Sequence, residues 1–153
     1  MLDIRLDDVM EPQVVALLEE HIADMYATSP PESVHTLDLA ALRQPDISFW
    51  SVWQGDEALG CVALKEHERH WAEIKSMRTS NASRGQGIGK VLLEHVIAVA
   101  KQRGYQMLRL ETGAEPFFEP ARSLYSGYGF RVRGPFADYS NDPNSIFMER
   151  VLD

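Results

Sequence analysis

Apolar positions recur along this chain with two different periods, and each change of period marks an element. Ile4 and Leu6 alternate with Arg5 and Asp7, which predicts a short strand over residues 3–8. Pro12 suits a helix's first turn, and Val14, Val15, Leu17, Leu18, Ile22 and Met25 then recur at helical spacing opposite Glu19, Glu20 and Asp24. A helix over residues 11–27 follows, stopped by Ser29-Pro30-Pro31; Thr36 or Asp38 caps a shorter one ending near Gln44-Pro45. Residues 47–54 are rich in β-branched and aromatic side chains, and Gly55-Asp56 turns them into a second run at 58–65, a hairpin. A turn over 66–70 leads to a third strand at 71–79. The strongest helical stripe is Ile88, Val91, Leu92, Val96, Val99 and Ala100, within a helix over 87–103 that Gly104 ends. Strands at 106–111, 130–133 and 145–151 and a short helix at 119–126 complete the chain. The order is β-α-α-β-β-β-α-β-α-β-β, a mixed α/β layout of the α+β type. Strands and helices do not alternate strictly, which argues against a doubly wound parallel sheet.

Length and composition narrow the class. With 153 residues, 44% hydrophobic and 25% charged, the chain is expected to form one domain over residues 1–153 with a proper core. It has no apolar run long enough to span a membrane and no secretory leader pattern, and its single Cys61 forms no internal disulfide, so the expected location is cytoplasmic. A net charge of −8 argues against nucleic acid or an anionic membrane as partner. The charge is unevenly spread. From Lys75 to Arg109 there are seven basic residues and one acid, net +6, leaving 8 basic and 22 acidic residues, net −14, elsewhere. Such an island points to a locally held anionic ligand.

The island contains Arg84-Gly85-Gln86-Gly87-Ile88-Gly89-Lys90, placed after a strand and opening the strongest helix. Unpaired amides at a helix start bind phosphate, and glycine lets the backbone approach it. Neither a Walker loop nor a dinucleotide fingerprint fits: the first needs Gly at Arg84 and Ser or Thr at Val91, the second Gly at Lys90. His67-Glu68-Arg69-His70 lacks the second His that a zinc-protease helix requires, at Trp71, and no metal is expected. Cys61 reads as a small core residue.

Arg-x-x-Gly-x-Gly at residues 84–89, with Ala121-Arg122-Ser123-Leu124-Tyr125-Ser126-Gly127-Tyr128-Gly129-Phe130 further on, resembles the GNAT superfamily of acyl-CoA-dependent N-acetyltransferases. Segments at 30–33, 73–78 and 135–145 are similar to a bacterial subgroup of acetyltransferases. The resemblance covers essentially the whole chain and implies a mostly antiparallel central sheet with helices on both faces. It implies acetyl-CoA as acyl donor, coenzyme A as product and an amine of a small molecule or peptide as acceptor, attacking directly in a ternary complex; it also allows a homodimer. Met77, Arg78 and Thr79 would meet the pantetheine arm through their backbone, an amide at the strand's bulge polarising the thioester carbonyl. Gly85, Gln86, Gly87, Ile88, Gly89, Arg84 and Lys90 would hold the pyrophosphate. Tyr125 would protonate the leaving sulfur. Glu73 corresponds in position to the glutamate base of the family's histone-acetyltransferase branch, with Glu111 and a water relay as competitors. The usual asparagine before the late motif is replaced by Phe118, making an apolar wall with Phe117. His35, Trp50, Trp53, Asp138 and Tyr139 are acceptor-side candidates. The other readings are a non-enzymatic acyl-CoA-binding module and an O-acyl or longer-acyl transferase.

Overall fold

The computed structural model describes residues 2–28, 30, 39–137 and 139–152. The capping residues Thr36 and Asp38 and the acceptor candidates His35 and Asp138 lie outside them. The chain runs β1 (Leu2–Leu6), α1 (Pro12–Thr28), α2 (Leu39–Leu42), β2 (Ile47–Gln54), β3 (Glu57–Glu68), β4 (Trp71–Thr79), α3 (Ile88–Gln102), β5 (Met107–Gly113), α4 (Glu119–Gly127), β6 (Arg131–Arg133) and β7 (Ser145–Val151). This is the expected order of elements. All seven strands join one sheet in the order β1-β2-β3-β4-β5-β7-β6, and every neighbouring pair is antiparallel except β4 and β5.

Period-two alternation sorts the strands' side chains between two layers. Trp50, Val62, Leu64, Ile74 and Leu110 face α3, whose Leu92, Leu93, Val96 and Ala100 are all fully buried. Their neighbours Phe49, Cys61 and Ala63 face the other way, onto Val14, Leu17 and Leu18 of α1 and Leu42 of α2. Burying each large α3 side chain contributes roughly 1.5–3 kcal/mol, enough to hold the helix against the sheet. Helices thus cover both faces. No helix among the described residues is long and apolar enough to cross a membrane.

Two strands run on past the ends expected from the sequence. β3 runs on to Glu68, because Lys65, Glu66 and Glu68 pair with Glu73, Ala72 and Trp71 and leave only Arg69 and His70 as the turn. Ladder pairing and the His67 ring, stacked 4.2 Å from Trp71, outweigh the polar composition that read as a loop. β5 likewise continues to Gly113, since Thr112 and Gly113 find partners in Ile146 and Ser145 of β7.

Candidate functional site

The site begins with a fault in β4. Cys61 of β3 faces Arg78 while Ala63 faces Lys75, so β4 carries an extra residue across from Val62. Ser76 takes up the strain in a left-handed conformation at φ 54°. On its other side β4 pairs with β5 only from Trp71 to Ile74, against Met107 to Leu110. The ladder between these two parallel strands ends at Ile74. The bulge thus falls at Ser76-Met77, at the start of the stretch Met77, Arg78 and Thr79 singled out by spacing.

A groove of about 510 Å³ lies along β4 past the end of that ladder. Met77, Arg78, Thr79, Arg84, Gly85, Gly87, Ile88, Gly89 and Lys90 all line it, and Gln86 does not. Gly85 and Gly87 have φ of 81° and 80°, a region that costs an L side chain strain. Gly87 is the N-cap of α3 and offers no side-chain acceptor, so the first-turn amides stay available. Pro120, Leu124, Phe117 and Phe118 supply an apolar wall. Arg84, nearly half exposed, lies over the Phe117 ring at 5.3 Å and 3.4 Å from Asp24.

Most of the basic island is engaged elsewhere. Arg78 is buried and pairs with Glu20 and with Asp24, the latter at 2.6 Å, tying α1 to β4. Its side chain is therefore a structural cation. Arg109 pairs with Glu149 at 2.7 Å, and Arg103 bonds Ser48 and lies over Trp50. Only Arg84 and Lys90 of the island's Arg and Lys residues that line the groove stand at the helix start.

A smaller cavity of about 100 Å³ adjoins the groove, and the two share His21, Met25, Met77, Phe118, Ala121 and Tyr125. Glu73, Lys75, Glu111 and Tyr139 add ionisable groups to its lining. Glu73 is 2% exposed. His67 Nε2 lies 2.8 Å from its Oε1, while Tyr139 OH at 2.7 Å and Lys75 Nζ at 3.2 Å donate to its Oε2. Burial alone would raise the Glu73 carboxyl, but these hydrogen bonds and the Lys75 charge hold it below the ordinary carboxylate range. Glu111 behaves oppositely. Burial pushes it up to about 7, the Glu73 and Asp142 charges adding to the rise and Lys75 opposing it. Burial, then the Glu111 charge, also raises the Tyr125 hydroxyl above its usual range, so it stays protonated. Burial, helped by Arg78, takes His21 down to about 4, leaving the imidazole neutral.

The candidates are thus partly gathered and partly dispersed. Tyr125, Glu73, Glu111 and Tyr139 meet at one cavity. Trp50 packs under α3 against His95, and Trp53 packs in the layer under α1, because adjacent β2 positions point to opposite faces and both are covered. Sequence reading missed three residues. Met25 had been assigned to the core stripe of α1 and His21 to no role, yet both line the cavities. His67 sat in a segment weighed only as a metal motif; its position two residues beyond Lys65 on an extended β3 was the available signal.

Three comparisons bear on this arrangement. The model of the Acetyltransferase (GNAT) family matches residues 14–130. The chain is 52% identical to the uncharacterised N-acetyltransferase YsnE of Bacillus subtilis, over 97% of this chain and 99% of that one. It is 42% identical to the uncharacterised N-acetyltransferase YedL of Escherichia coli K12, over 99% and 96% of the two chains. The crystal structure of a Klebsiella pneumoniae protein, 31% identical, superposes with a TM-score of 0.85 over 100% of this chain and 99% of that one.

Proposed function

The chain belongs to the acetyltransferase (GNAT) family, and from that premise we propose that it moves an acetyl group from acetyl-CoA to a primary amine of a small molecule or peptide by direct attack in a ternary complex. One observation carries the reading: a groove that reaches a helix start without a side-chain cap adjoins a small cavity lined by Glu111 and Tyr125. One domain suffices for both ligands.

The groove's chemistry fits a coenzyme A moiety. At one end it offers the first amides of α3, two left-handed glycines and the cations Arg84 and Lys90, a set suited to pyrophosphate. Along its length it offers β4 at Met77, Arg78 and Thr79, past the end of its ladder with β5, and an apolar wall, a set suited to an amide-bearing aliphatic arm. Bound there, acetyl-CoA supplies a thioester-activated acetyl group and a sulfur that needs a proton on departure.

The protein's own groups handle the protons. We assign the base to Glu111 in preference to Glu73. The Glu73 oxygens are engaged by three neighbours and its carboxyl is acidic, whereas a carboxyl near 7 can take a proton from an amine and release it again. Tyr125, protonated and shared by both cavities, is the donor toward the sulfur. Glu73 anchors Lys75 and Tyr139 beside them.

The test is release of free thiol from acetyl-CoA in the presence of a panel of primary amines, alongside the thermal shift produced by coenzyme A. Turnover with some amines and a raised melting temperature are expected. No turnover with any amine and no shift would overturn the proposal.

A further inference from the structure

The six residues common to groove and cavity form the neck through which an acyl group must pass from donor to acceptor, if the groove holds an acyl-CoA as proposed above. The flexible thioethers Met25 and Met77 can yield easily and Ala121 takes little room, whereas the buried Tyr125, tilted against Phe130, and Phe118 cannot yield. Phe118 closes the short turn Pro116–Phe118 ahead of α4 and is 8% exposed. Its ring lies directly on Gly113, the last residue of β5: a Cβ on that glycine would sit 2.1 Å from ring carbon Cδ2 and 2.4 Å from Cε2. The ring therefore fills the space a side chain at 113 would take, with strand backbone behind it. Phe117, edge-on at a centroid distance of 5.0 Å, blocks a second direction. The chamber beyond has about 100 Å³ and must also admit the acceptor amine.

We propose that Phe118, seated on Gly113, is the residue that restricts the donor to short acyl groups. A ring backed by a β-strand does not retreat as a methionine does, so each added methylene on the acyl chain meets packed atoms instead of empty space. Gly113 is the counterpart of this arrangement, since any side chain there would drive the ring further into the neck.

The experiment is calorimetric titration with coenzyme A and with acetyl-, propionyl-, butyryl- and hexanoyl-CoA, and it needs no acceptor. Each acyl-CoA dissociation constant is divided by that of coenzyme A for the same protein, which removes any general loss of affinity. For the wild type the ratio is expected to rise about tenfold from acetyl to butyryl. In Phe118→Ala and Phe118→Leu the same step should shrink to less than about threefold. Phe118→Leu retains most of the contact with Gly113 and settles the matter if the alanine variant does not fold. A chain-length dependence in the folded variant equal to the wild type's, or wild-type affinity for hexanoyl-CoA equal to that for acetyl-CoA, would overturn the inference. A wild type that binds no coenzyme A would overturn the donor assignment itself, and this inference with it.

Discussion

Glu73 and Glu111 differ in which neighbours reach them. They stand on adjacent strands and line one cavity, yet one is held ionised by three hydrogen bonds and the other is raised to about 7 by burial. If Glu111 is the base, activity must rise with pH as its carboxyl deprotonates near 7. We expect kcat/KM to show that limb in the wild type, and Glu111→Gln to lose the limb together with about 10²–10⁴ of the rate. Replacing Glu73 has another signature. Glu73→Ala leaves Lys75, 9% exposed, without its carboxylate, so denaturant unfolding should register a loss of about 3–5 kcal/mol. Its limb should move to lower pH, because the Glu73 charge is one of the groups raising Glu111. Tyr125→Phe should cut kcat by about 10²-fold while coenzyme A affinity measured by calorimetry stays near the wild-type value. Neither the order of candidates nor their spacing reveals these charge states, since His67 and Tyr139 reach Glu73 from 6 and 66 residues away.

Elements were largely legible from the pattern of apolar positions, and for concrete reasons. β2 and β4 agree with the predicted 47–54 and 71–79 because their β-branched and aromatic runs end at glycine or polar turns. α3 was equally clear, since its stripe and the glycines at both ends point to the same boundaries. β3 and β5 were underestimated because their last residues are polar and owe their extension to partners across the sheet. The bulge at Ser76 is likewise a property of the β3–β4 pairing, and no local signal marks a serine at φ 54°. The start of α3 supplies a prediction at this scale. Gly87→Ala forces a side chain into the left-handed region, so thermal unfolding should show a loss of about 1–2 kcal/mol, and coenzyme A affinity should fall as the first amides turn away.

For the whole molecule, charge changes meaning once the chain is folded. A net +6 island along the sequence separates, in space, into ion-paired Lys75, Arg78 and Arg109, the cations Arg84 and Lys90 at the start of α3, and Lys101 and Arg103 at its far end. Buried titrating groups also give the stability a pH dependence with opposed contributions. His21, lowered to about 4, favours the folded state above its usual value and loses that benefit as pH falls through about 4. Glu111, raised to about 7, favours it below the usual carboxylate value and loses that benefit as pH rises through about 7. Glu111→Gln and wild type should therefore melt at similar temperatures near pH 4.5 and diverge by pH 8, the variant gaining on the order of 2–3 kcal/mol. The sequence alone determined the order of elements, the glycine-rich helix start, the late Tyr125 motif and the family, because periodicity, turn chemistry and short motifs are local. Tertiary structure decided where the β4–β5 ladder ends, which cations line the groove at the helix start, which of two neighbouring carboxyls is lowered and which raised, and that Phe118 lies on Gly113. Those outcomes depend on burial and on pairs far apart in the chain, and such distances exist only once it is folded.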